Sequence, residues 1–359
     1  MVVLLVIMLA IGVSISVAVG LSSALAMLCM LDANISFATS AQRLFAGANS
    51  FSLIAIPFFI LAGNIMNNGG IAERIVNVAK VVAGRMPGAL AQSNVVANML
   101  FGAISGSGAA AAAAMGGTIG PMEKKEGYDP VYSAGVNIAS APTGMLIPPS
   151  NLMIVYSTIA GSVSVAALFT GGYVPGILWG LLVMFLAGVK AKKCGYVAER
   201  RIPAKMTGII TFMIGLSSIM SWVMAFTGLP DLIANGMLSI TENRYVILIL
   251  MNIILLIVGT FMDPTPAVLI FTPIFLPICQ ALGMNTIHFG IMMIFNLCIG
   301  TITPPVGTTL FVGVKVGQTK IEQVIKPLLA YFAAIFIVLM LVSYIPALSM
   351  WLPGLLGYV

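Results

Sequence analysis

The sequence is short of charge. Only 7% of its 359 residues are Asp, Glu, Lys or Arg, and 60% are apolar, whereas a soluble domain is about 25% charged. This shortage excludes a water-soluble enzyme, a disordered chain and a nucleic-acid binder. The net charge of +6 does not bring the last of these back. The basic residues sit in short clusters between long apolar stretches, as they do in membrane proteins. Histidine is almost missing, with His288 alone, and the four cysteines (Cys29, Cys194, Cys279 and Cys298) form no CxxC pair. Zinc, haem and iron–sulfur sites are excluded with them, and no cofactor is expected. Three of the cysteines lie in apolar runs and read as packing residues.

What fills the chain is uncharged sequence. Runs without Asp, Glu, Lys or Arg cover residues 1–31, 44–72, 86–122, 131–189, 206–230, 245–262, 264–314 and 327–359. A spanning helix needs about 20 apolar residues, so all but the shortest run suffices and two hold more than one pass. Residues 1–31 lack the basic start and small-residue cleavage site of a signal peptide and read as a retained helix. The expected fold class is an all-α, multi-pass membrane protein embedded in the lipid bilayer.

Glycine and proline interrupt these runs in four places: 101–108 (FGAISGSG), 141–151 (APTGMLIPPSN), 259–266 (GTFMDPTP) and 300–309 (GTITPPVGTT). Irregular backbone at membrane depth is tolerated only when buried in protein or lining a wet cavity. The four clusters also pair. A shift of 156 residues places Pro121 on Pro277, Gly127 on Gly283, Gly144 on Gly300, Pro148 and Pro149 on Pro304 and Pro305, and Gly161 on Gly317. Residues 58–66 (FFILAGNIM) resemble 212–220 (FMIGLSSIM) at a shift of 154. Two structural repeats follow, 1–190 and 206–359, joined by a basic linker at 191–205.

Charge placement orients them. Arg74, Lys80 and Arg85, then Lys124 and Lys125, then the linker are the basic clusters, and the positive-inside rule puts all three in the cytoplasm. Residues 88–121 must then enter and return as a re-entrant hairpin with 105–108 at its tip, followed by a broken helix over 131–160. In the second half, residues 230–244 read as an external amphipathic helix. A hairpin over 245–279 has its tip near 263–266, and a broken helix covers 286–314. Two hairpins from opposite faces, each followed by a broken helix, make an inverted repeat, which is a transporter pattern. The scaffold around them is expected from the N-terminal helix and from residues 166–189, 207–226 and 327–353.

The runs FGAISGSGAAAA, NIASAPTGMLIPPSN, GTFMDPTPAVLIFTPIFLP and FNLCIGTITPPVGTTLF resemble the large membrane subunit of tripartite ATP-independent periplasmic (TRAP) transporters, in order and over nearly the whole chain. The resemblance implies an elevator-type secondary transporter of the bacterial inner membrane that imports small carboxylates with sodium. It also implies two partners, a small four-helix membrane subunit and a periplasmic substrate-binding protein. The wording of PTGMLIPPSN leans toward a sialic acid or similar sugar acid over a C4-dicarboxylate. The chain departs from the family in one respect. An additional hydrophobic stretch, usual between the basic linker and the segment at Thr207, is missing where Lys205 runs into Met206.

Three sets of residues are candidates for chemistry. The tip Ser105, Gly106, Ser107 and Gly108 offers helix-end carbonyls and hydroxyls to a sodium ion, with Thr143 and Gly144 at the partner break. Small residues there also simply let helices pack closely. The matching set in the second half is Gly259, Asp263, Thr265, Gly300, Thr301 and Thr303. Asp263 is the sole acid between Arg244 and Glu322. An acid at membrane depth costs roughly 2.5–3.5 kcal/mol on insertion scales, and Asp before Pro264 is also good N-cap chemistry. Substrate carboxylate is expected at half-helix starts, which attract anions. Ser150, Asn151, Thr308 and Thr309 sit at two of these starts, where they serve equally as caps.

Two other classes compete with a transporter. An intramembrane serine hydrolase would pair His288 with Ser105 or Ser107 within hydrogen-bond reach, but the sequence places His288 near the outer end of its helix, as an interfacial residue, and the serines at a mid-membrane tip. A non-transporting scaffold or channel subunit would not need paired helix breaks. The expectation is therefore a transporter and not an enzyme.

Overall fold

The computed structural model describes residues 15–29, 32–48, 71–84, 86–161, 163–196, 244–304 and 307–358. All regular structure among them is helical. Among the described residues three helices precede the first hairpin: α1 (Ile15–Leu28), α2 (Ala33–Ala48) and α3 (Ile71–Ala83). The hairpin is α4 (Ala89–Ser105) and α5 (Gly108–Lys125). It turns at Gly106, whose φ of 63° is the left-handed conformation that glycine adopts without strain. The chain continues through α6 (Pro130–Ser140), a 3-10 turn (Ala141–Met145), α7 (Asn151–Ala160) and the long α8 (Val165–Cys194). The second half is α9 (Arg244–Phe261), α10 (Pro264–Ala281), α11 (Thr286–Gly300), α12 (Thr308–Val316), α13 (Ile321–Tyr344) and α14 (Ala347–Leu355). The residues expected at 207–226 and most of the amphipathic segment 230–244 lie outside the described residues.

Short polar side chains set where these helices start. Asp129 accepts hydrogen bonds from the N–H groups of Val131 and Tyr132 ahead of α6, with Pro130 at its first position. Asp263 accepts from Thr265 N–H at 3.3 Å, with Pro264 opening α10. Asn285 caps α11 by accepting from Ile287 N–H at 2.8 Å. Each satisfies a donor that the helix itself leaves unpaired.

The packing of the hairpins is exchanged. First arms stay in their own half, α4 against α6 and the 3-10 turn, α9 against α11. Second arms also reach across: α5 packs on α12 as well as on α6 and the 3-10 turn, and α10 packs on α7 as well as on α11. Glycine allows the first arms to approach. A Cβ on Gly102 would lie 2.9 Å from the Gly144 Cα, and one on Gly259 would lie 3.2 Å from the Gly300 Cα. Both contacts are backbone on backbone, so only glycine fits the two crossings.

Helices α8 and α13, expected in the scaffold, pack directly on the broken helices. Helix α8 packs on α6, α7, α11 and α13, and α13 packs on α6 and α11. Trp179 of α8 is fully buried and donates from Nε1–H to the Ala139 carbonyl at 2.9 Å. They are core because glycines on one face of α8 admit its neighbours: a Cβ on Gly176 would lie 2.8 Å from an Ile147 side-chain carbon. On the opposite face Ile177, Leu181, Phe185 and Val189 are exposed at helical spacing, a surface suited to lipid. Helices α8, α10 and α13 are long and apolar enough to cross a membrane.

At the charged end of α5, beyond Pro121, Glu123 is buried beside Ser133. Burial raises its carboxyl from the usual 4.5 to about 7, with Glu126 adding to the rise and Ser133 opposing it. The folded state therefore holds a proton that the unfolded chain has released, and stability falls as pH rises from about 4.5 to about 7. Glu123→Gln is expected to raise the melting midpoint at pH 8 and to leave it almost unchanged at pH 4.5. Thermal unfolding in detergent at the two pH values checks this, and an equal shift at both would remove the carboxyl as its cause.

Candidate functional site

The two hairpin tips meet across a cavity of about 310 Å³. Four helix starts open onto it: Ser107–Ala109 for α5, Asn151 and Leu152 for α7, Asp263–Thr265 for α10, and Thr308 and Thr309 for α12. Some N–H groups at these starts are taken: those of Thr309 and Leu310 in α12 donate to the Thr301 carbonyl, and α10 opens with Pro264 and Pro266, which have none, around a Thr265 N–H held by Asp263; each start still carries about half a positive charge from the helix dipole. Asp263 offsets one of them. Among the described residues no Lys or Arg lines the cavity, so the positive character comes from backbone.

The lining also carries oxygen. Ser105 Oγ donates to the Ser107 carbonyl at 3.3 Å, and Ser107 Oγ caps α5 by accepting from Ala110 N–H at 3.3 Å. The Thr301 hydroxyl donates to the Cys298 carbonyl at 2.8 Å, and its own carbonyl accepts from the N–H groups of Thr309 and Leu310. That last pair closes the break between α11 and α12. Two buried oxygens of the lining have no partner among the described residues, Asn151 Oδ1 and Thr309 Oγ1; Thr309 is 0% exposed. Both press on the first tip. A Cβ on Gly106 would strike the Asn151 side chain, and one on Gly108 would lie 2.8 Å from Thr309 Oγ1.

The structure thus brings together Ser105, Gly106, Ser107, Gly108, Asp263, Thr265, Thr301, Asn151, Thr308 and Thr309. The remaining sequence candidates lie elsewhere. Gly144, Gly259 and Gly300 form the two backbone crossings. The hydroxyls of Thr143, Thr303 and Ser150 donate to the carbonyls of Ser140, Ile299 and Met145. His288 is not interfacial. It is 1% exposed, with Nδ1 2.6 Å from Ser349 Oγ and Nε2 3.3 Å from the Ser343 carbonyl. These partners belong to α13 and α14, so the structure does not join His288 to Ser105 or Ser107. Sequence reasoning overlooked Gly102, whose place in the first glycine cluster was a usable signal, and a set of buried asparagines that had none.

The sequence matches the family described as "Tripartite ATP-independent periplasmic transporter, DctM component" over residues 2–203 and 200–348. It is 45% identical to the uncharacterized protein YgiK of Salmonella typhimurium over 97% of this chain and 95% of that protein. It is 34% identical to the C4-dicarboxylate TRAP transporter large permease DctM of Vibrio cholerae, covering 99% and 97%. It is 31% identical to the sialic acid TRAP transporter large permease SiaM of the same species, covering 93% and 94%. The alignment with YgiK spans 414 positions, more than the 359 residues of this chain, so that relative carries internal residues this chain lacks. The two stretches of the family match meet in the basic linker. The chain is a multi-pass membrane protein and a transport subunit rather than an enzyme, and it belongs to the DctM family, the large membrane subunit of TRAP transporters.

Proposed function

We propose that the central cavity holds a small carboxylate together with sodium, and that the chain imports the carboxylate by sodium symport across the bacterial inner membrane. The observation that carries this reading is the meeting of four helix starts and the unpartnered Thr309 hydroxyl in one cavity, with no basic side chain among its described lining. The starts of α7 and α12, with Asn151 and Thr309, suit the carboxylate. The hydroxyls and last-turn carbonyls of the tips suit a hard cation, with Ser105 to Gly108 forming one half-site and Asp263, Thr265 and Thr301 the other. The exchanged packing supports two inverted repeats, 1–190 and 206–359, with re-entrant hairpins at 88–121 and 245–279 that move together in an elevator-type transition. A small membrane subunit and a periplasmic binding protein complete the transporter and deliver the substrate. Relatives are named for C4-dicarboxylate and for sialic acid; the PTGMLIPPSN break favours a sugar acid.

The test is uptake into vesicles containing the chain with both partners. An imposed sodium gradient is expected to drive accumulation. Ser107→Ala and Thr301→Ala are each expected to raise the sodium concentration for half-maximal uptake about five- to tenfold, the loss of one ligand or of its packing. Downhill flux indifferent to sodium would instead mark a channel or scaffold subunit.

A further inference from the structure

We propose that Asn98 with Ser140, and Asn252 with Asn296, are matched positioning pairs that hold the two hairpin tips at the spacing a cation needs. The inference rests on the sodium reading above and assigns residues to it that do not touch the cavity. All four side chains are buried, each at most 2% exposed. In the first half Asn98 of α4 donates from Nδ2 to Ser140 Oγ of α6 at 2.8 Å, and also to Asn94 Oδ1 at 2.9 Å and Asn137 Oδ1 at 3.0 Å. Asn137 in turn donates to the Ala112 carbonyl of α5 at 2.9 Å. In the second half Asn296 of α11 donates from Nδ2 to Asn252 Oδ1 of α9 at 2.7 Å and to the Asn252 carbonyl at 2.9 Å. Asn252 donates to Ser343 Oγ of α13 at 3.2 Å.

The pairs match at one member, Ser140 with Asn296, and differ by one turn at the other. Ser140 and Asn296 each lie one turn before the glycine at which their helix is crossed, Gly144 and Gly300. Asn98 lies one turn before Gly102, and Asn252 two turns before Gly259, on the crossing face of the first arm. The glycines only permit close approach, since two bare backbones slide past each other. The amides fix the register: Asn98 Nδ2 faces Asn94 Oδ1 on its own helix and Asn137 Oδ1 and Ser140 Oγ on α6, and slippage of the helices by one turn, about 5.4 Å, breaks both contacts to α6. Polar side chains inside a membrane body are costly and are kept where they set function. The crossing lies one turn below each tip, so register there sets where Ser107 stands against Thr309 and where Asp263 stands against Thr301.

The experiment measures sodium-22 binding to the purified chain in nanodiscs, with thermal unfolding recorded in parallel. Asn98→Ala and Asn252→Ala are expected to weaken sodium binding about tenfold. Ser140→Ala, which removes one acceptor and leaves Asn94 and Asn137 in place, is the milder variant should Asn98→Ala not fold, and a rise of about threefold in the dissociation constant is expected. Ser140→Asn copies the second half and is expected to stay within about twofold of wild type, as a positioning role requires. A purely stabilising role predicts lowered melting midpoints with unchanged sodium affinity in folded variants, and that result overturns the proposal. Wild-type chain that binds no sodium overturns the sodium reading and this proposal with it. Sodium binding in wild type with unaltered affinity in all the folded variants overturns this proposal alone.

Discussion

Gly300→Ala and Gly144→Ala are expected to abolish uptake and to lower the melting midpoint more than alanine at either of the glycines they face. A Cβ on Gly300 would fall inside the Gly259 backbone, and one on Gly144 inside the backbone of Gly102 and Ala103. No rotamer change relieves a clash with main chain, so the helices must part. Overpacking costs about 1–3 kcal/mol where side chains can give, and these two sites exceed that range. Their partners are graded. Gly102→Ala meets Gly144 Cα at 2.9 Å, and Gly259→Ala meets Gly300 Cα at 3.2 Å. The expected order of damage is Gly144 and Gly300, then Gly102, then Gly259. Melting midpoints of the four purified variants check it, and a Gly300→Ala protein as stable as wild type would show that the helices can part at the crossing without cost.

Asp263→Ala is expected to reduce uptake by more than tenfold. It removes the cap on α10, a loss of about 1 kcal/mol, and it removes the only acid among the described residues that line the cavity. Asp263→Asn separates the two. Asparagine caps about as well as aspartate but brings no charge against a cation. The expected result for Asp263→Asn is near-normal maximal uptake with a sodium curve shifted to higher concentration. An unshifted curve would leave Asp263 as a cap alone, which the 3.3 Å bond from Thr265 N–H already makes it.

The element map was legible because punctuation residues act locally. Gly106, Pro130, Asp129, Pro264 and Asp263 each end or start a helix through the geometry or the side chain of one residue, and such signals survive in a single sequence. Element ends differ by a few residues: α5 continues past Pro121 to Lys125, because a proline near a helix end leaves the following turns intact. What glycines do was less legible. Gly144, Gly259 and Gly300 read as backbone open to an ion, and the structure adds that they stand at helix crossings. A missing Cβ admits a cation and a second backbone equally, and a single sequence does not show the second. The neighbours of α8 and α13 were not legible either, since uniform hydrophobicity does not say which helices pack together. The asparagines were invisible. Asn98 and Asn137, or Asn252 and Asn296, stand about 40 residues apart in uncharged sequence, with no periodic pattern to link them.

The exchange of second arms has a consequence for how this body holds together. Neither half encloses the cavity by itself, because α5 rests on α12 as well as on its own half, and α10 on α7 as well as on α11. Joining the halves is therefore a step in folding and not the docking of two finished parts. Whatever occupies the cavity touches helix starts from both halves at once and adds its binding energy to their cohesion by mass action. On the proposed reading a bound ion or carboxylate would act there as a removable crosslink, tightening the body when loaded and loosening it when empty.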